Sequence, residues 1–216
     1  MKAHFEILKK ILDEKIVAIV RLDSGEQLVH VAEALNAGGI SVIEFTCSTP
    51  GALEMIKEAS GRFGEEVLIG AGTVLDPETA RAAILAGAEF IVSPTINPDT
   101  IKMCKRYGKP SIAGAMTPSE MLTVWEAGAD LVKVFPASVI GGVDYIKAVL
   151  APLPQLRLVP TGGVNADNAA QYLKAGAVVV AVGGNLVDKK VVSRGDWAAI
   201  TAEAQRLVSA VRNASK

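Results

Sequence analysis

Ile16-Val-Ala-Ile-Val-Arg-Leu-Asp23 begins with five apolar residues, four of them β-branched, and reaches Arg21 without passing a glycine. Such a run reads as a strand buried on both faces. The residues just after it separate two architectures built from alternating strands and helices. An open doubly wound sheet usually carries a glycine-rich phosphate loop directly after its first strand, and Ile19-Val20-Arg21-Leu22-Asp23 contains none. A closed parallel barrel needs no glycine there, and the rest of the chain repeats the same unit.

Eight β-rich runs recur every 20 to 26 residues: Ile16–Val20, Ser41–Thr46, Val67–Ala71, Phe90–Ser93, Ser111–Ala113, Leu131–Phe135, Leu156–Pro160 and Val178–Val182. Helical spacing fills the intervals, as in Leu28, Val31, Ala32 and Leu35, or Trp197, Ile200, Ala204, Leu207 and Val211. Thr49-Pro50, Asp76-Pro77, Asn97-Pro98 and Thr117-Pro118 each read as N-cap followed by a first-turn proline. Ala37-Gly38, Ala86-Gly87, Ala127-Gly128 and Ala175-Gly176 read as helix ends. The expected fold is α/β, a (β/α)8 TIM barrel with an extra N-terminal helix at Phe5 to Leu12, forming one domain over residues 1–216.

Composition narrows the function. Twenty-two Lys and Arg face 23 Asp and Glu, giving a net charge of −1 and no basic block to follow a nucleic-acid backbone. The apolar runs are too short to span a bilayer, and the N-terminus mixes charges with apolar residues unlike a signal peptide. Nucleic acid and membrane are therefore not expected partners, and the cytoplasm is the expected compartment. Cys47 and Cys104 lack metal-site spacing, and His4 and His30 fall in helical segments, so no metal is expected.

Barrel enzymes do their chemistry at the C-terminal strand ends, and here those ends are polar. Lys133 lies within Asp130-Leu-Val-Lys-Val-Phe-Pro136, and Glu44 within Ser41-Val-Ile-Glu-Phe-Thr46, both otherwise apolar strands. Burial of an amine favours its neutral, nucleophilic form, and a buried carboxyl is a tunable proton carrier. Strands two and six lie across the barrel, so these side chains could meet at its mouth; a purely structural ion pair would show the same pattern. Thr161-Gly162-Gly163 and Gly183-Gly184-Asn185 follow the last two strands, where many barrels bind phosphate through backbone N–H groups. Gly70-Ala-Gly-Thr73 could let backbone approach a ligand, or could be a plain turn. Arg21 offers a fork suited to a carboxylate, or a rim ion pair with Asp23.

Together these residues carry a resemblance. Val42-Ile-Glu-Phe-Thr46, Ile69-Gly-Ala-Gly-Thr-Val74, Ile91-Val-Ser-Pro94, Met116-Thr-Pro-Ser-Glu120, Val132-Lys-Val-Phe-Pro136, Pro160-Thr-Gly-Gly-Val164 and Val182-Gly-Gly184 occur in order. Over nearly its whole length the chain resembles the class I aldolases of 2-keto-3-deoxy-6-phosphogluconate (KDPG) and 4-hydroxy-2-oxoglutarate (KHG). The resemblance implies that Lys133 forms a Schiff base with pyruvate or a phosphorylated 2-keto acid, and that Glu44 is the general acid and base. It implies that Thr73 contacts the pyruvyl carboxylate and that Pro94 and Phe135 pack on the pyruvyl group. Gly162, Gly163, Gly183 and Gly184, beside Thr161, would hold the phosphate. It further implies a homotrimer without cofactor or metal, acting in carbohydrate metabolism of the Entner–Doudoroff type.

Two departures bear on this. Some members carry arginine four residues after the glutamate, where this chain has Ser48, and Arg21 matches an arginine of other members. The last motif often contains serine, where this chain has Gly183-Gly184-Asn185, leaving its phosphate contacts to backbone or Asn185. The galactonate branch resembles the chain at Arg21 and Ser48-Thr-Pro50, so the sugar epimer stays open. A phosphosugar isomerase or epimerase would have no need of the lysine, and a silent scaffold would need none of the set.

Overall fold

The computed structural model describes residues 3–214. Helix α1 (His4–Glu14) precedes eight strands: β1 (Ile16–Val20), β2 (Val42–Thr46), β3 (Leu68–Gly72), β4 (Ile91–Val92), β5 (Ser111–Ala115), β6 (Leu131–Val134), β7 (Leu158–Pro160) and β8 (Val180–Val182). Between and after them come α2 (Leu28–Ala37), α3 (Ala52–Phe63), α4 (Pro77–Ala86), α5 (Pro98–Arg106), α6 (Pro118–Glu126), α7 (Gly142–Leu150), α8 (Ala169–Lys174), α9 (Lys189–Ser193) and α10 (Trp197–Ala214). From β1 to β7 each strand pairs in parallel with its sequence neighbours, and β1 also pairs with β8. The seam between β7 and β8 is closed by a bridge from Thr161 to Ala181 and by the Val178 N–H donating to the Leu158 carbonyl at 3.1 Å. This is the (β/α)8 barrel that the repeat predicts, with the N-terminal helix two residues longer at its C-terminal end than Phe5 to Leu12.

Strand alternation divides the apolar residues into two cores. Ala18, Val20, Ile43, Phe45, Ile69, Val132 and Val134 face outward into the helical ring. Val17, Ile19, Val42, Leu68, Phe90, Val92, Ile112, Leu131, Val159, Val179 and Ala181 fill the lumen, where Ile7 and Ile11 of α1 join them. The helix is thus a plug for the N-terminal end, each buried isoleucine contributing about 1.5–3 kcal/mol. Polar contacts fix its position: His4 Nε2 lies 2.7 Å from Asp130 Oδ1, and Glu14 accepts the N–H groups of Ser41 at 2.7 Å and Val42 at 3.0 Å. With that end of the lumen stoppered, the polar strand ends open at the C-terminal mouth.

Three of the four expected caps form. Asp76 accepts the Thr79 N–H, Asn97 those of Asp99 and Thr100, and Thr117 with Glu120 builds a capping box. Thr49 does not cap: α3 begins later, with Gly51 at its N-cap, and the Thr49 hydroxyl goes elsewhere. Gly87, Gly128 and Gly176 take positive φ as expected, but Gly38 keeps φ −82° and Gly39 makes the left-handed turn at +91°. Space explains that shift. A Cβ on Gly38 would come 2.4 Å from the Ala204 Cβ, so this glycine is selected by the packing of α10 rather than by its dihedral.

Candidate active site

Above the apolar filling of the lumen stand two charged residues, Glu44 on β2 and Lys133 on β6, 1% and 5% exposed. Strand period two places them on the faces of Val42 and Leu131, which point inward. Neighbouring strands are cut back to admit them. A Cβ on Gly72 would lie 1.7 Å from Glu44 Oε1, and one on Gly70 would strike the Phe90 ring at 2.4 Å. Glycine in β3 therefore makes room for other side chains. On β5, Gly114 lets the Pro94 backbone lie where a Cβ would be only 2.2 Å from its carbonyl carbon. Gly114 also pairs in register with Lys133, so the same glycine seats Pro94 beside the lysine strand.

Neither Glu44 oxygen has a hydrogen-bond partner within the protein. Burial raises its pKa above the usual 4.5, opposed by the positive charges of Lys133 and Arg21. A carboxyl with raised proton affinity and unsatisfied oxygens is suited to pass a proton back and forth. The Lys133 ammonium sits 5.5 Å from the centroid of the Phe135 ring. Thiol or imidazole chemistry has no comparable setting. Burial pushes the Cys47 thiol up to about 11 and the Cys104 thiol to about 12, while His4 lies at the plugged end and His30 pairs with Glu33.

The shift at Glu44 has a measurable consequence for stability. Its folded pKa lies above the unfolded one, so the native state binds the proton more tightly and stability falls as pH rises through the interval between them. Glu44→Gln removes that dependence. Thermal melts from about pH 4 to about pH 8 should show the variant more stable than wild type at the alkaline end, the difference closing below the unfolded value. A difference that stayed constant with pH would contradict the raised pKa.

A cavity of about 570 Å³ opens over this pair at the C-terminal mouth. Arg21, Thr73, Pro94, Lys133, Phe135, Thr161, Gly162, Gly163, Gly183 and Gly184 all line it. Glu44 does not, lying fully covered beneath. Arg21 Nη2 donates to Thr73 Oγ1 at 3.5 Å, and Thr73 holds φ +58°, a conformation costly for a β-branched residue. Asp23 pairs with Lys189 rather than with Arg21, and Arg21 has no ion pair among the described residues. At the other side, Gly162 and Gly163 take φ +89° and +78°, and a Cβ on Gly163 would lie 2.4 Å from Ser138. Asn185 Nδ2 donates to the Val164 carbonyl at 3.0 Å, tying the two glycine loops together. One of its two amide N–H donors is thus engaged in structure, and Asn185 lines the cavity beside the backbone of the glycine loops.

Lys189 and Lys190 also line the cavity, and their sequence context alone does not single them out. A signal is present in Asp188, which caps α9 through the N–H groups of Lys190 and Val191 and so starts the helix that carries both lysines. A larger cavity, about 790 Å³, lies at the opposite end between α1 and α10. None of the polar strand ends reaches it, so size does not identify the site. Among the described residues no group of His, Cys, Asp and Glu could hold a metal ion, and no helix is long and apolar enough to cross a membrane.

Known proteins match most of the chain. A family model described as KDPG and KHG aldolase matches residues 7–203. The chain belongs to that family. A 2-dehydro-3-deoxy-phosphogluconate aldolase of Treponema pallidum is 36% identical over 207 residues, 96% of this chain and 97% of the relative. A Legionella pneumophila KDPG aldolase, solved with pyruvate captured at low pH as a covalent carbinolamine intermediate, superposes with a TM-score of 0.85 at 30% identity, covering 93% of this chain and 97% of that one. A native KDPGal structure gives the same TM-score at 32% identity, covering 93% of this chain and 95% of that one.

Proposed function

We propose that this chain is a class I aldolase that cleaves KDPG to pyruvate and glyceraldehyde 3-phosphate, with Lys133 as the Schiff-base residue. The observation that carries the reading is a buried lysine on the inner wall, electrostatically coupled to a buried glutamate without hydrogen-bond partners, under a cavity ending in two glycine loops. The neutral Lys133 amine adds to the C2 ketone, and Glu44 carries protons until water leaves and an iminium forms. Glu44, directly or through a water, then accepts the C4 hydroxyl proton and the C3–C4 bond breaks. Its electrons flow into the iminium, giving the enamine of pyruvate as the aldehyde departs. Protonation at C3 and hydrolysis release pyruvate and restore the amine.

Arg21 and Thr73 are assigned to the substrate carboxylate, Pro94 and Phe135 to the pyruvyl group, and Thr161, Gly162, Gly163, Gly183 and Gly184 to the phosphate. The cations Lys189 and Lys190 beside the glycine loops favour a phosphorylated substrate over KHG. The 2-keto-3-deoxy-6-phosphogalactonate reading is supported by the KDPGal likeness, together with Arg21 and Ser48-Thr-Pro50. We assign the protein to Entner–Doudoroff carbohydrate metabolism in the cytoplasm, as a homotrimer for which exposed Leu75, Leu85 and Val139 offer apolar surface.

Pyruvate release from KDPG, its galactonate epimer and KHG tests the function. Release from a phosphorylated substrate, faster than from KHG, is expected; isomerised or epimerised product without pyruvate would overturn the aldolase reading. At the carboxylate end, Arg21→Ala should raise the pyruvate concentration for half-maximal borohydride trapping by about tenfold or more, as for a charged hydrogen bond worth about 1.5–3 kcal/mol. Inhibition by inorganic phosphate should be unchanged. If phosphate inhibition were lost while pyruvate bound normally, Arg21 would belong to the phosphate end.

A further inference from the structure

The Thr49 hydroxyl, absent from the helix cap that its place before Pro50 predicts, accepts the Leu22 backbone N–H at 3.2 Å. The bond is buried, with Thr49 2% and Leu22 6% exposed. A second contact, 3.2 Å to Thr46 Oγ1, ties the hydroxyl to the end of β2, and Ser48 Oγ donates to the same Thr46 oxygen at 3.4 Å. The partner on the other side matters more. Leu22 N belongs to the peptide that Arg21 contributes as its carbonyl half, so holding that N–H fixes ψ of Arg21. The β1–β2 register ends at Val20 opposite Phe45, and beyond it Arg21 and Leu22 have left the ladder. The Thr49 hydroxyl is a hydrogen-bonded tie from this stretch of backbone to the end of β2.

We propose that Thr49 is a positioning residue for Arg21, setting the approach of its guanidinium to the substrate carboxylate beside Thr73. The proposal rests on the assignment of Arg21 to that carboxylate. It accounts for a cap residue placed where no helix begins: without the Thr49 hydroxyl, the Leu22 N–H would lose its acceptor in a buried setting.

The test uses the full chain and pyruvate trapping by borohydride, with inorganic phosphate inhibition as a second readout. Thr49→Val keeps the shape and removes the acceptor. It should raise the pyruvate concentration for half-maximal trapping by about three- to tenfold, the size expected for one neutral hydrogen bond, with labelling at saturating pyruvate and phosphate inhibition unchanged. Thr49→Ser should restore wild-type behaviour, and Thr49→Ala serves if the valine variant does not fold. In an Arg21→Ala background, loss of the Thr49 hydroxyl should add nothing. If Arg21→Ala weakens pyruvate binding but Thr49→Val and Thr49→Ala do not, or if the two losses multiply, the positioning role is wrong and the Arg21 assignment stands. If Arg21→Ala leaves pyruvate binding unchanged, the assignment itself fails and the positioning role falls with it.

Discussion

Lys133→Met is expected to lower turnover at least about a hundredfold and to leave the fold intact. Methionine keeps an unbranched chain of similar length in the lumen, so the packing against Phe135 and the neighbouring strands survives. What is lost is, among the described residues, the only amine that lines the cavity from a strand; Lys189 and Lys190 approach from α9, beyond β8. The change also removes a positive charge that opposes the rise in the Glu44 pKa. Glu44 should therefore be more fully protonated in the variant, and no unpaired buried carboxylate is stranded. Steady-state turnover on KDPG, with circular dichroism to establish folding, measures the effect. Unchanged turnover in a folded variant would make the lysine structural.

Glu44→Gln should produce a loss of similar size by a different route. The glutamine fills the space beside Gly72 but cannot accept or deliver a proton, and general acid–base catalysis is commonly worth about a hundred- to ten-thousandfold. Lys133 remains as nucleophile, so pyruvate should still be trapped by borohydride, more slowly than in wild type. That separation distinguishes the two roles. A variant that turned over normally would show that Glu44 serves the lumen only as a polar filler, and complete loss of trapping would mean that iminium formation depends on it entirely.

The barrel was legible because its evidence is periodic and local. Apolar runs, caps at Asp76, Asn97 and Thr117, and glycines at Gly87, Gly128 and Gly176 each depend on neighbours within a few residues. Lys133 and Glu44 were legible for the opposite reason, as charges placed in strands that otherwise call for burial. What the sequence does not disclose is decided by contacts between distant elements. Nothing local to Gly72 announces that Glu44 occupies its side-chain space. Gly38 answers to α10. Thr49 carries a sound local cap signal that the Leu22 N–H overrides from the adjacent loop. Lys189 and Lys190 are not singled out in the sequence, because only the fold places α9 at the cavity of the glycine loops.

All of these assignments converge on one covalent event at one nitrogen. Incubation of the wild-type chain with pyruvate and borohydride, followed by peptide mass spectrometry, is the most direct test of it. The account predicts a single reduced adduct per chain, on Lys133 and absent without pyruvate. An adduct on any other lysine, or none after complete reduction, would contradict it.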